Sequence, residues 1–228
     1  MNKKTTGSVS KSTAKKDTVK KSTAKKSAIK KSIVKQGVTQ EREYWKPSNM
    51  LYPVPAVIVT CRDKKGNDNA LTVAWAGTIC SDPVMVSISV RKERHSYAMI
   101  KETKEFVINL TTVALTKATD YCGVKSGRDV DKFKAMHLTK CESKIVKAPG
   151  IVQSPVNLEC KVKKIIELGT HDMFIAEVVS TDINPNFIDK KGKLNLRQAG
   201  LMAYSHGEYF ELGKYIGKFG YSVRKNVK

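Results

Sequence analysis

The chain has 228 residues, with 42 Lys and Arg against 21 Asp and Glu, for a net charge of +21. Its five Cys contain no CxxC pair and stand no closer than 19 residues apart, which excludes a metal knuckle or a disulfide-dense scaffold and makes a reducing cytoplasm the expected compartment. The longest apolar runs, such as Ala56 to Thr60, are far too short to span a bilayer.

The charge is unevenly placed. Residues 1–40 hold twelve Lys, one Asp and no aromatic residue, a net of +11, whereas the other 188 positions hold 30 basic and 20 acidic residues, a net of +10. So little hydrophobic mass cannot offset the entropy of ordering the tail, so 1–40 is expected to be disordered. Lys pairs recur there at 15–16, 20–21, 25–26 and 30–31. A step of five turns a helix by about 140° beyond one full turn, so no face stays basic and no amphipathic helix forms. With neither Arg nor an apolar run, the tail does not read as a secretory signal or transit peptide. Two readings stay open for it: a nonspecific arm for nucleic acid or an acidic membrane surface, and a solubilising tail. Residues 41–228 suffice for one domain with its own core.

In chain order, Pro53 and Pro55 introduce a β-branched strand, Ala56 to Cys61. Turn chemistry at Asp63 to Asn67 predicts a hairpin that returns through Asn69 to Ala76. Ser81-Asp82-Pro83 breaks the pattern before a strand, Val84 to Val90, whose alternate residues Val84, Val86, Ile88 and Val90 share one face. A short helix is predicted over His95 to Lys104, then a strand over Glu105 to Leu110. A second helix runs from Val113 to Tyr121 with Gly123 as its stop, and Asp129 is a candidate cap for a third through Ala135. Val156 to Leu168 and Met173 to Ile183 form a long hairpin around Gly169-Thr170-His171-Asp172, and loop with short strand pieces runs on from Leu201. Many strands and few helices argue for a barrel or sandwich rather than a doubly wound sheet.

The residues with chemistry cluster in sequence. Arg94, His95 and Ser96 combine a guanidinium fork and a hydroxyl with the free N–H groups and positive dipole of a helix start, the donors that phosphate oxygens accept from. The same triplet also suits an ordinary surface cap. Asn69, Thr72 and Ser89 are candidates for the polar edge of an aromatic ring, or else plain strand polarity. Trp75 could line such a ring or belong to the core. His171 at the hairpin tip could touch a ligand or simply be exposed. His137 and His206 lack partners at ligand spacing, and no metal is expected. There is no GxGxxG, P-loop or GxSxG, which disfavours Rossmann and serine-elbow chemistry.

Seven pieces stand in one order: Pro53 to Thr60, Asn69 to Trp75 with Ile79 to Pro83, Arg94-His95-Ser96, Glu105 to Leu110, Ser126-Gly127-Arg128 to Phe133, His171 to Val178, and Gly217 to Arg224. In that order they resemble the flavin reductase-like family, FMN-binding split barrels that include flavoredoxin. The resemblance implies a mainly β fold, a six-stranded antiparallel Greek-key barrel with peripheral helices, working as a homodimer. It implies non-covalent FMN with Asn69, Thr72, Val73, Ala74 and Trp75 about the ring, and Ser89, Val90 and Arg91 along the ribityl chain. Arg94, His95 and Ser96 would meet the phosphate, Lys132 would add charge, and His171 would be the catalytic candidate, although Thr170 stands where the family often has an acid. The activity implied is NAD(P)H-dependent hydride transfer to flavin N5. The alternatives are a flavoredoxin-type electron carrier for redox-protein partners and a polyanion-binding protein acting through its tail.

Overall fold

The computed structural model describes residues 42–224, and the Lys-rich 1–40 segment lies outside them. By internal contacts the chain divides at Asn49/Met50. Among the described residues, every strand and helix belongs to the unit from Met50 onward.

Twelve strands of that unit make three sheets. The main one contains β2 (Val57–Arg62), β3 (Asp68–Val73), β4 (Ala76–Ser81), β5 (Val84–Arg91), β6 (Glu105–Asn109), β9 (Val156–Leu168) and β10 (His171–Ile183). A three-stranded sheet joins β1 (Val54–Pro55) to β11 (Met202–Ser205) and β12 (Glu208–Glu211), and β7 (Lys140–Cys141) pairs with β8 (Gly150–Ile151). Among the described residues, three α-helices, α1 (His95–Thr103), α2 (Thr116–Val124) and α3 (Lys132–Ala135), and four short 3₁₀ turns complete the fold.

The main sheet is antiparallel and ordered β3-β2-β6-β9-β10-β5-β4. Its edge strands, β3 and β4, are neighbours in the chain, separated only by Ala74 and Trp75. A flat seven-stranded sheet would hold its edges roughly 28 Å apart at about 4.8 Å per strand, beyond the reach of two residues. The sheet therefore curls until its edges approach, leaving a seam where β3 passes through Ala74 and Trp75 into β4 beside β5: a split barrel. Register shifts in the β9–β10 pair, at Ile175/Ala176 and Val178/Ser180, supply local bends for that curl.

Strand periodicity decides what fills the barrel. Val57, Val59 and Cys61 of β2 point inward with Leu71, Val73, Val86, Ile88, Val90, Phe106 and Phe174. Ile58 and Ala70 point outward and are covered by Leu115, Ala118 and Cys122 of the α2 region, with Phe133 of α3. Buried on both faces from Val57 to Cys61, β2 shows no alternation of apolar and exposed polar residues. On one flank of α1, Tyr97, Met99 and Ile100 join the barrel core.

Several sequence expectations change here. The main sheet has seven strands rather than six. The segment read as one strand from Asn69 to Ala76 is two strands and the seam turn, because barrel closure breaks it at Ala74-Trp75. Gly123 does not stop α2, which continues to Val124. The cap of α3 is Asp131 rather than Asp129; its carboxylate accepts from Lys134 N at 3.1 Å. His171 opens β10 instead of sitting at the hairpin tip.

Candidate functional site

A cleft of about 140 Å³ lies on the seam, lined by Leu71, Thr72, Val73, Ala74, Trp75, Ser89, Val90, Arg91, Arg94 and His171. At this place the turn crosses from β3 to β5, and Ser89 N donates to Trp75 O at 2.8 Å. Thr72 Oγ1 donates to Thr119 O of α2, which ties the β3 wall to the outer helix layer.

One end of the cleft is cationic. Arg94 is the extended residue that introduces α1, and its side chain does not cap the helix. Its Nη1 instead donates to Gly123 O at 2.9 Å, near the C-terminal end of α2. Directly beside it, Lys132 Nζ donates to Cys122 O at 2.9 Å and Ala70 O at 2.8 Å. The negative end of one helix thus anchors two cations next to the positive end of another. Lys132 is only 3% exposed. Burial holds its pKa below the usual lysine value, and Arg94 pushes the same way. Burial likewise lowers His95, followed by the fields of Arg128 and Lys132, with Asp63 a smaller opposing influence. Of the nearby carboxylates, Glu93 lies 3.3 Å from Arg91 Nη1 and Asp63 accepts from Asn67. Among the described residues, no carboxylate forms an ion pair with Arg94, Lys132 or Arg128.

The other end is aromatic. Trp75 stands 6.2 Å from Tyr52 between ring centroids, and Tyr52 in turn meets Tyr204 at 6.1 Å. His171 is half-buried at the cleft edge, its Nδ1 2.9 Å from Thr170 Oγ1. Burial first, then Arg91, holds its pKa below the ordinary imidazole value. Asp172 does not orient this ring. Successive strand residues face opposite sides, and the Asp172 carboxylate is buried, accepting from Tyr97 OH with Lys92 Nζ 3.3 Å away.

Nine of the residues expected at the site line this cleft: Thr72, Val73, Ala74, Trp75, Ser89, Val90, Arg91, Arg94 and His171. Four stand behind its wall. Asn69 and Ser96 are buried and spend side-chain groups on each other, Asn69 Nδ2 donating to Ser96 Oγ at 2.8 Å. Lys132 points into the protein and His95 is half-buried beside it. Sequence reasoning gave no role to Leu71, to the Tyr52 and Tyr204 rings behind Trp75, or to Arg128. An Arg directly after Ser-Gly in a loop was the one available sign for the last of these. The Cys61 and Cys122 thiols are pushed by burial to about 12 and about 11, so neither is a nucleophile near neutrality.

A split barrel whose seam carries an anion-seeking end and an aromatic end defines a class of small-ligand binders. A flavin reductase like domain matches residues 49–213. The chain belongs to the flavin reductase-like family. A protein of Archaeoglobus fulgidus is 31% identical over 160 residues, covering 70% of this chain and 88% of its own. Among solved structures, flavoredoxin of Desulfovibrio vulgaris (Miyazaki F) superposes with a TM-score of 0.75 at 26% identity, over 81% of this chain and 100% of its own. Flavoredoxin from Methanosarcina acetivorans gives 0.73 at 25%, over 81% and 100%.

Proposed function

We propose that the seam cleft binds FMN without a covalent bond and that the protein is an NAD(P)H-dependent flavin oxidoreductase. The observation that carries this reading is the cationic end of the cleft, where Arg94, the residue that introduces α1, lines the slot. A monophosphate ester carries about −1.5 to −2 charges at neutral pH and three acceptor oxygens, which suits those donors. Family membership supports the same ligand.

Bound FMN would supply the two-electron chemistry of its ring, accepting hydride at N5. The chain's own residues bind and orient. Arg94 and the first N–H groups of α1 hold the phosphate; Ser89, Val90 and Arg91 flank the ribityl chain; Thr72 to Trp75 present backbone groups to the ring edge. Asn69, Ser96 and Lys132 act from behind the wall: the first pair fixes α1 against β3, and Lys132 fixes β3 against α2. His171, whose pKa burial and then Arg91 hold below the ordinary imidazole value, lines the cleft, where it is placed to meet a second substrate. Purified protein should be yellow, and NADH or NADPH should bleach the band at roughly 450 nm within seconds. A colourless protein that does not take up added FMN ends the proposal.

A flavoredoxin-type electron carrier is the second reading, favoured by the similarity to two flavoredoxins. Reduction by ferredoxin but by neither nicotinamide nucleotide would select it. We also propose a homodimer. A cleft of about 140 Å³ is smaller than the roughly 300–1,000 Å³ usual for ligand sites, which leaves part of the ligand for a second copy to cover. Ile216 and Phe219 near the C-terminus are 89% and 102% exposed, apolar surface suited to a second copy. The tail remains a polyanion-binding candidate; deletion of 1–40 should then remove salt-sensitive nucleic-acid binding and leave FMN affinity unchanged.

A further inference from the structure

The loop between α2 and α3 reaches the turn that leads into α1 and Arg94's end of the cleft. Its Gly127 approaches the buried Asn69–Ser96 pair so closely that a Cβ there would collide with the Asn69 amide, 2.6 Å from Cγ. Glycine at this position lets the loop reach the start of α1. The next residue, Arg128, crosses to the turn between β5 and α1, where Nη1 donates to Glu93 O at 3.1 Å. The same turn is held from its other side by Glu93 and Arg91, 3.3 Å apart. The guanidinium is exposed, and its field is the largest that any charged side chain exerts on His95. One of its five N–H donors is committed to Glu93, so others remain for a ligand.

We propose that Arg128 is a specificity-determining latch across the phosphate end of the cleft, selecting flavin mononucleotide over flavin dinucleotide. This rests on the flavin reading above. A mononucleotide ends in a phosphate monoester with three free oxygens and nearly two negative charges, and a guanidinium across that end adds a charge-assisted bond. In a dinucleotide the same phosphorus continues into a second phosphate and an adenosine. The phosphate then carries a single charge and one oxygen fewer to offer, and the chain must leave past the Arg128–Glu93 contact. The latch strengthens the first ligand and obstructs the second.

The test measures dissociation constants of FMN, FAD and riboflavin for the full chain, by flavin fluorescence, in wild type, Arg128→Ala and Arg128→Gln. Wild type should prefer FMN. In both variants FMN should weaken by about tenfold, the equivalent of one charge-assisted bond of about 1.5 kcal/mol. FAD should be unchanged or tighter, so the FMN-to-FAD ratio falls at least tenfold, while riboflavin, which has no phosphate, stays within twofold. A merely structural role would move all three ligands together. Gly127→Ala, which displaces the loop without changing charge, should shift the ratio the same way. A ratio that stays put in both Arg128 variants, or equal losses for FMN, FAD and riboflavin, overturns the latch and leaves the flavin reading standing. A wild-type chain that binds no flavin removes both.

Discussion

The two ends of the cleft are built in opposite ways. At the cationic end, groups are committed before any ligand arrives: Lys132 to two carbonyls, Asn69 to Ser96, Arg94 to Gly123 O. At the aromatic end, Trp75, Tyr52 and His171 are half-buried, and they meet ring neighbours and one threonine. The difference separates two tasks. A rigid end fixes where the ligand sits, because its donors lose little freedom on binding. A looser end allows a second reactant to come and go. Ligand affinity should therefore depend mainly on the first end and turnover on the second.

The largest expected effect tests the buried scaffold. Lys132→Met removes a cation that spans β3 and α2 and leaves two carbonyls without their donor. Unfolding stability should drop by about 3 kcal/mol in urea melts, given about 1–3 kcal/mol for each unpaired buried group. A loss under about 1 kcal/mol would mean that the cationic end is not pre-assembled. Next, Arg94→Ala should weaken FMN by about 1.5–3 kcal/mol in fluorescence titrations, as for a lost charge-assisted bond. Unchanged affinity would move the phosphate elsewhere. A smaller change is expected from Trp75→Leu, about 1 kcal/mol in FMN affinity from lost aromatic packing. If that substitution outweighs Arg94→Ala, the assignment of tasks to the two ends is reversed.

The smallest expected effect concerns protons. The His95 pKa lies below its ordinary value in the free protein, first through burial and then through the fields of Arg128 and Lys132. A bound dianion opposes those fields and raises it. Binding therefore takes up protons, and affinity should increase as pH falls from about 7.5 toward about 6, where the phosphate itself starts to lose charge. Calorimetry at pH about 6.5 in buffers of different ionisation enthalpy should show net uptake of a fraction of a proton, absent in His95→Gln. Release instead of uptake would place the phosphate away from His95.

Much of the fold was readable because local pattern and tertiary environment agree. The 156–168 and 171–183 strands carry their register in side-chain alternation, and the β2–β3 hairpin carries its turn in Asp63 to Asn67. The seam was hidden because Asn69 to Ala76 contains no Gly or Pro to mark a break. Only contact between distant sheet edges decides that the run breaks at Ala74-Trp75. Within the site, types and order pointed to the cleft wall, but burial could not be inferred. A lysine is ordinarily surface chemistry, and the two carbonyls that draw Lys132 inward are 62 and 10 residues away in sequence. The neighbouring Phe133 in the core was the one hint. Asn69 and Ser96 were read as ligand contacts for the same reason: nothing local shows that they satisfy each other.

The two-residue link at the seam has a consequence for how such a protein can change. Ala74 and Trp75 both shut the barrel and wall the cleft. Lengthening that link would open the cylinder and widen the slot in a single event, so the site cannot be enlarged there without loosening the whole domain. Room for evolving new ligand preferences is left to the rims, at Ser126 and Arg128 on either side of the fixed Gly127 and in the turn before His171, where residues can vary while the staves stay in place.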